Sequence, residues 1–231
     1  MRYMNFSAVL ERLEKSGTLV FSVQDVAKVM HKSTAYASLL LSRHRNIVRL
    51  KKGVYYIAGA GMYEIASNVV YPSYISLGAA LQYYDLIDQN IVRYSVITTK
   101  RHKELSTRQG TVEFITLSKD RVFGYTSDGN AYIATVEKTF IDCLYLGRPE
   151  FKQVEESFAS ALQDYKVRID ILKEFGIKMR SRSLINKLGF LLERSGIAAD
   201  DLVSYTYRSK YVKVSRHADS RDRKWAVLYD R

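Results

Sequence analysis

The chain has 231 residues, 47% hydrophobic and 26% charged, the balance of a water-soluble globular protein with room for two or three small domains. No apolar run approaches the roughly 18 residues of a membrane span, and no apolar signal core follows Met1 to Asn5, so a cytoplasmic protein with no membrane partner is expected. Two prolines, twelve glycines and a single cysteine, Cys143, exclude long disordered linkers, an intramolecular disulfide and a cysteine zinc cage.

The net charge of +12 is unevenly spread: +7 in residues 1–60, −2 in 61–174 and +7 in 175–231. Cations clustered at both ends of a neutral middle suit a polyanion, because they release the counterions condensed on a duplex. An acidic membrane surface would also attract such charge, but no basic amphipathic helix or lipidation motif accompanies it.

In chain order, Phe6, Val9, Leu10 and Leu13 stand at helical spacing with charged residues opposite, and Gly17 ends the helix. Thr18 to Phe21 predicts a short strand. Ser22 and Asp25 provide the cap and first-turn acid of a second helix, with Val26, Val29 and Met30 inward. His31 and Lys32 make a turn, and Ser33 caps a third helix running to about Arg45. Two short helices joined by a tight turn read as a helix-turn-helix, the second helix lying in the major groove. The leucines at 39–41 are expected to mark its buried side. Ser33, Thr34 and Tyr36 then face base edges, Ala37 and Ser38 allow close approach, and Lys32, Arg43 and Arg45 meet phosphates. Two β-prone runs flank Lys51-Lys52-Gly53, a hairpin whose cationic tip completes a winged helix-turn-helix and adds Lys51 and Lys52 to the phosphate contacts. The alternative is a solvated turn in a winged helix that grips protein instead of DNA.

Gly59 to Gly61 leave the wing. A dinucleotide-binding loop is the wrong reading there, since Glu64 would repel a pyrophosphate. A helix is predicted over Ser73 to Tyr84. Strands follow at Tyr94 to Thr99, Thr111 to Leu117, Val122 to Thr126 and Ala131 to Ala134, as a mostly antiparallel meander. Lys100-Arg101-His102-Lys103 reads as a solvated hairpin connection, with a phosphate contact as the alternative. Thr135 caps a helix over Val136 to Leu146 that buries Cys143. Residues 151–197 are helical, with stripes at Val154, Phe158, Ala161 and Leu162 and at Leu184, Leu188, Leu191 and Leu192. Alternation from Val203 to Arg208, then Tyr211 to Val214 and Trp225 to Tyr229, predicts closing strands, and Asp219 and Asp222 are expected to pair locally in the basic tail. The fold class is α+β: a winged helix-turn-helix (1–60), a domain of helix, antiparallel strands and helix (61–150), and a helical region ending in basic β-strands (151–231). No phosphate loop, metal-ligand spacing or catalytic triad is present, so no enzymatic activity, metal or cofactor is expected.

Four segments, in order, carry a family resemblance: Arg49 to Tyr55, Tyr71 to Leu77, Ile133 to Asp142 and Ser183 to Leu192. Over roughly residues 5–195 the chain resembles the AbiE-type antitoxins (AbiEi) of type IV toxin–antitoxin systems. The resemblance implies a transcriptional repressor that binds double-stranded operator DNA at inverted repeats and autoregulates its operon. It also implies a C-terminal part that counters a cognate nucleotidyltransferase-like toxin. A protein-interaction module without specific DNA recognition remains the alternative, and the oligomeric state stays open, a homodimer included.

Overall fold

The computed structural model describes residues 5–207, 209–215 and 217–230. The chain begins with α1 (Phe6–Lys15), β1 (Val20–Ser22), α2 (Val23–Met30), α3 (Thr34–Arg43), β2 (Ile47–Lys51) and β3 (Val54–Ile57). Local chemistry sets each boundary. Asn5 Oδ1 accepts from the Ala8 amide at 2.8 Å and starts α1. Ser22 and Asp25 form a reciprocal capping box at the start of α2. His31, in the left-handed conformation at φ 53°, closes α2, and the Ser33 hydroxyl accepts from the Tyr36 amide at 3.2 Å to open α3. The three strands pair antiparallel in the order β1-β3-β2. One face of this sheet presents Phe21, Tyr55 and Ile57 to the helices, against Val9, Val26, Met30, Ala37 and Leu41.

The middle of the chain holds α4 (Met62–Asn68), β4 (Ser73–Ile75), α5 (Leu77–Tyr83), β5 (Arg93–Thr98), β6 (Leu105–Ser106), β7 (Thr111–Thr116), β8 (Tyr125–Asp128), β9 (Ala131–Ala134) and α6 (Val136–Leu146). Its six strands form one mixed sheet in the order β6-β7-β5-β4-β9-β8. The expected antiparallel meander is therefore corrected: β5 runs parallel to β7, and β4 parallel to β9. The expected helix over Ser73 to Tyr84 divides in two. Ser73, Tyr74 and Ile75 form a fully buried central strand, and the helix begins only at Leu77. A strand covered on both faces shows no alternation, so its apolar run imitates a helix stripe. The predicted strand at 122–126 starts at Tyr125 instead, after a 3-10 turn over Lys119–Arg121.

Helices α7 (Phe151–Gln163), α8 (Ile169–Lys178) and α9 (Arg182–Arg194) pack with α5 and α6 around Phe140, Phe158, Leu172, Leu188 and Leu191. The alternation expected to continue as a strand from Val203 gives a 3-10 helix over Asp200–Tyr205, because Leu202 and Thr206, four apart, are the residues turned inward. Strands β10 (Val212–Lys213), β11 (Ser220–Asp222) and β12 (Val227–Tyr229) close the chain as a small sheet in the order β10-β12-β11. Trp225 anchors that sheet on α9 and lies against Gly189. A β-carbon there would sit 2.0 Å from the indole, so only glycine admits this approach. Asn186, also on α9 and fully buried, donates to the carbonyls of Tyr207 and Trp225 and accepts from the Tyr207 amide at 2.9 Å. Asp222, expected as a local ion-pair partner, instead accepts at its Oδ1 from the Trp225 amide at 2.8 Å and shapes the turn.

The three-stranded N-terminal sheet is packed on one face and partly covered on the other, where Val48 is 37% exposed. Opposite Tyr55 and Ile57, residues Leu19, Leu50 and Tyr56 pack on Met62, Ile65 and Val96. This places α1 to α3 on the outer side of that sheet and leaves the free face of α3 to solvent.

Candidate nucleic-acid interface

Helix α3 is held by Ala37 and Leu41, both fully buried, with Leu40 partly buried beside them. At about 100° per residue, the opposite face carries Ala35, Tyr36, Leu39, Ser42 and Arg43, all exposed. Two expectations change. The leucines at 39–41 do not share the buried side, because three consecutive residues span about 200° of a helix; Leu39 is 43% exposed, at the centre of the outward stripe. Ala37 faces the core and cannot approach a ligand, and the Ser38 hydroxyl is engaged 3.0 Å from Tyr55 Oη.

Ser33, Thr34 and Tyr36 are exposed at the start of α3. The Ser33 oxygen is occupied as an N-cap acceptor, which leaves its O–H as a donor. Lys32, in the turn before α3, and Arg43 and Arg45, after it, are exposed at opposite ends of the helix.

The hairpin departs from the sequence expectation. Val54 pairs with Ser22, and the Gly53 carbonyl accepts from the Val23 amide at 2.9 Å, so the turn ends level with β1 and does not project. Lys52 is exposed. Lys51 is turned away from the tip: its Nζ lies 2.5 Å from His102 Nε2, and partial burial pushes its pKa below the ordinary lysine value. Its assignment as a tip phosphate contact is corrected on this account.

That contact brings Lys100 to Lys103 alongside the hairpin. The segment is not a hairpin connection. It leads from β5 to the short edge strand β6, and Lys100, Arg101 and Lys103 are exposed. Beside it, a cleft of about 800 Å³ separates edge strand β2 from residues 106–109, with Arg49 on one wall and Arg108 on the other. Neither arginine stood out in the sequence, and no local signal marks them, because only the docking of the two sheets makes them neighbours. Among the described residues, Arg43, Arg45, Arg49, Lys52, Lys100, Arg101, Lys103 and Arg108 have no carboxylate partner; the nearby Arg93 pairs with Glu104.

One polar cluster escaped the sequence reading altogether. Lys138 and Asp142, one turn apart on α6, form an ion pair sealed from solvent. Asp142 also accepts from Ser76 Oγ at 2.9 Å and Tyr74 Oη at 3.2 Å. Burial pushes the Asp142 carboxyl up and the Lys138 ammonium down, and their mutual contact pulls each back toward its charged form. With no exposed atom, the cluster joins α6 to β4 and offers nothing to a substrate. The Cys143 thiol beside it is fully buried and pushed well up by that burial, as suits a core residue. Among the described residues, no group of three or more His, Cys, Asp or Glu is placed to hold a metal ion, and no helix is long and apolar enough to cross a membrane.

No known protein family and no curated protein matches the chain. Its fold is similar to the crystal structure of the RV2827C protein from Mycobacterium tuberculosis, with a TM-score of 0.61 and 12% identity over 99% of this chain and 92% of that one. At this identity the likeness concerns the fold alone, and it extends over nearly the whole of both chains.

Proposed function

We propose that residues 1–60 form a winged helix-turn-helix that binds duplex DNA, and that the protein is a sequence-specific transcriptional repressor of antitoxin type. The observation that carries this reading is the free outer face of α3 with Arg43 and Arg45 at its far end and Lys52 on the hairpin, none of which has a carboxylate partner among the described residues. Burying an unpaired cation is costly and pairing it with a nearby acid is cheap, so a surface that leaves this many unpaired is matched to an anionic partner. In this arrangement α3 enters the major groove, Ser33, Thr34 and Tyr36 meet base edges, and Lys32, Arg43, Arg45 and Lys52 hold phosphates. Arg49, Arg108 and the Lys100 to Lys103 loop are further candidates for backbone contacts outside the groove that α3 occupies. Autoregulation at inverted repeats and neutralisation of a nucleotidyltransferase-like toxin rest on the resemblance to AbiE-type antitoxins, and a soluble cytoplasmic repressor is consistent with that role.

A second reading has an observation of its own. Tyr36 and Leu39, 45% and 43% exposed, stand together on the outward stripe of α3, as an apolar anchor for a protein partner would.

Footprinting on the DNA upstream of the gene, followed by gel-shift titration against salt, separates the two. The DNA reading expects protection at moderate salt. It also expects Lys52→Ala/Arg108→Ala to flatten the slope of log affinity against log salt by about 0.9 per lost phosphate contact. Lys51→Ala changes that slope less, because Lys51 faces His102. No protection with the full chain refutes the DNA reading in favour of the protein partner; protection with a slope unmoved by the double variant removes Lys52 and Arg108 from the site.

A further inference from the structure

The helical half contains a cavity of about 720 Å³ at the junction of α8 and α9, far in sequence from the first sixty residues. Lys178, Arg180 and Arg182 line it together with Ile177, Ile185 and Tyr205. We propose that this cavity binds a nucleoside phosphate, with the three cations on the phosphate groups and Tyr205 against the base.

Three observations support the assignment. First, among the described residues no carboxylate lies within ion-pair distance of the three lining cations, whose neighbours include the Phe123 ring, 4.3 Å from Lys178 Nζ, and the Tyr207 ring beside Arg182. In the same half of the chain Lys173 pairs with Asp201, Arg194 with Glu155, and Lys224 with Glu193 and Asp200. Asp120 is the one acid on the lining, so cations outnumber acids three to one. Arg121, next to it, is spent elsewhere: its guanidinium donates to the Met179 carbonyl at 3.0 Å and to Tyr145 Oη at 2.7 Å.

Second, Arg180 stands where a glycine would be cheaper. It follows the end of α8 with φ at 50°, the left-handed conformation in which helix ends favour glycine. Among the described residues five other non-glycine positions share that conformation, and Arg180 is the one of the six that lines the cavity.

Third, the lining is of two kinds. Guanidinium groups present paired donors that match phosphate oxygens. Tyr205 is 47% exposed, and Ile177 and Ile185 supply an apolar wall, which suits a planar heterocycle and not a bare inorganic anion. The volume lies within the ordinary range for a small-molecule site, about 300–1,000 Å³.

Calorimetric titration of the full-length protein with ATP and with tripolyphosphate tests the assignment. Saturable ATP binding is expected. Loss of two charge-assisted contacts in Arg180→Ala/Arg182→Ala should weaken it about tenfold or more. Tyr205→Ala should weaken ATP and leave tripolyphosphate unchanged. Lys52→Ala/Arg108→Ala, on the other surface, should bind ATP as the native chain does. All three variants replace exposed side chains, and their thermal unfolding checks that they fold. Absence of saturable ATP binding at millimolar concentration overturns the proposal, as does unchanged affinity in Arg180→Ala/Arg182→Ala. ATP affinity lost instead in Lys52→Ala/Arg108→Ala would place the nucleotide on the proposed DNA surface. Duplex affinity lost in Arg180→Ala/Arg182→Ala, with ATP affinity kept, would make the cavity a second DNA grip. Because the test reads nucleotide binding directly, its failure leaves the DNA reading intact, and the reverse holds as well.

Discussion

Replacing Gly189 by alanine sets two effects of opposite sign against each other. Gly189 lies inside α9, where helix propensity alone makes alanine the better residue by about 1 kcal/mol. The new β-carbon, however, would lie 2.0, 2.2 and 2.3 Å from three carbons of the Trp225 ring, where carbon atoms settle at about 3.5–4.0 Å. The indole must therefore move by about 1.5 Å or more. It has little freedom to do so, since Trp225 is fully buried, its amide donates to Asp222, and its carbonyl accepts from Asn186. Nor can α9 retreat, because Leu188, Phe190 and Leu191 are buried on its other sides. Overfilling a packed core costs about 3 kcal/mol at the upper end of the usual range. Less the propensity gain, the net loss is about 2 kcal/mol. Urea unfolding followed by far-ultraviolet circular dichroism measures it. Trp225 is the only tryptophan in the chain, so its fluorescence reports the displacement as a red shift. Trp225→Ala relieves the clash in advance, and Gly189→Ala made in that background should be neutral or stabilising. A Gly189→Ala protein as stable as the native one, with unshifted emission, would refute the packing of Trp225 on α9.

Two further outcomes follow from the polar interior. Lys138→Met leaves Asp142 charged and alone in the core, at a cost of about 3–5 kcal/mol in urea unfolding. Adding Asp142→Asn, which still accepts from Ser76 and Tyr74, should recover more than half of that loss; no recovery would mean that the pair is not the source of the cost. The Tyr63 phenol is pushed up from 10.0 to about 12, chiefly by burial, then by Tyr94 and Asp85, while its hydroxyl donates to the Ala79 carbonyl at 3.0 Å. A raised folded-state pKa favours the protonated form. Its contribution is complete below pH 10 and is lost as pH rises toward 12, because the unfolded chain gives up its proton first. Tyr63→Phe should flatten the decline of stability across that interval, and an unaltered decline would assign it to other tyrosines.

Much of the chain was legible wherever the determinants are local. The Ser22–Asp25 box, the Ser33 cap and the Thr135 cap are decided by residues three positions apart, and the helices they start begin where the sequence indicated. Helices α7 to α9 were legible from their apolar spacing. The losses have a different origin. Ser73 to Ile75 form a strand because β5 and β9 flank them, and nothing within the segment says so. Lys138 and Asp142 have the four-residue spacing of an ordinary solvated helix pair, and only the strand carrying Tyr74 and Ser76 seals them in. Lys51 looked like a tip cation until His102, fifty-one positions away, was brought against it. For the candidate site, the start of α3 was readable from its cap, whereas Leu39, Arg49 and Arg108 joined the surface through packing over long sequence distances.

The sheet formed by β1, β2 and β3 has an underside, and that limits how the first sixty residues can be exchanged. A fragment ending at residue 60 would take Leu19, Leu50 and Tyr56 away from Met62, Ile65 and Val96 and present them to water as an apolar patch. Residues 1–60 therefore do not travel alone: grafting them onto another protein requires a recipient that supplies a matching surface beneath them. Substitutions on the outward stripe of α3 carry no such obligation. Changes can accumulate one residue at a time on that stripe, while the N-terminal unit as a whole stays tied to the body on which it sits.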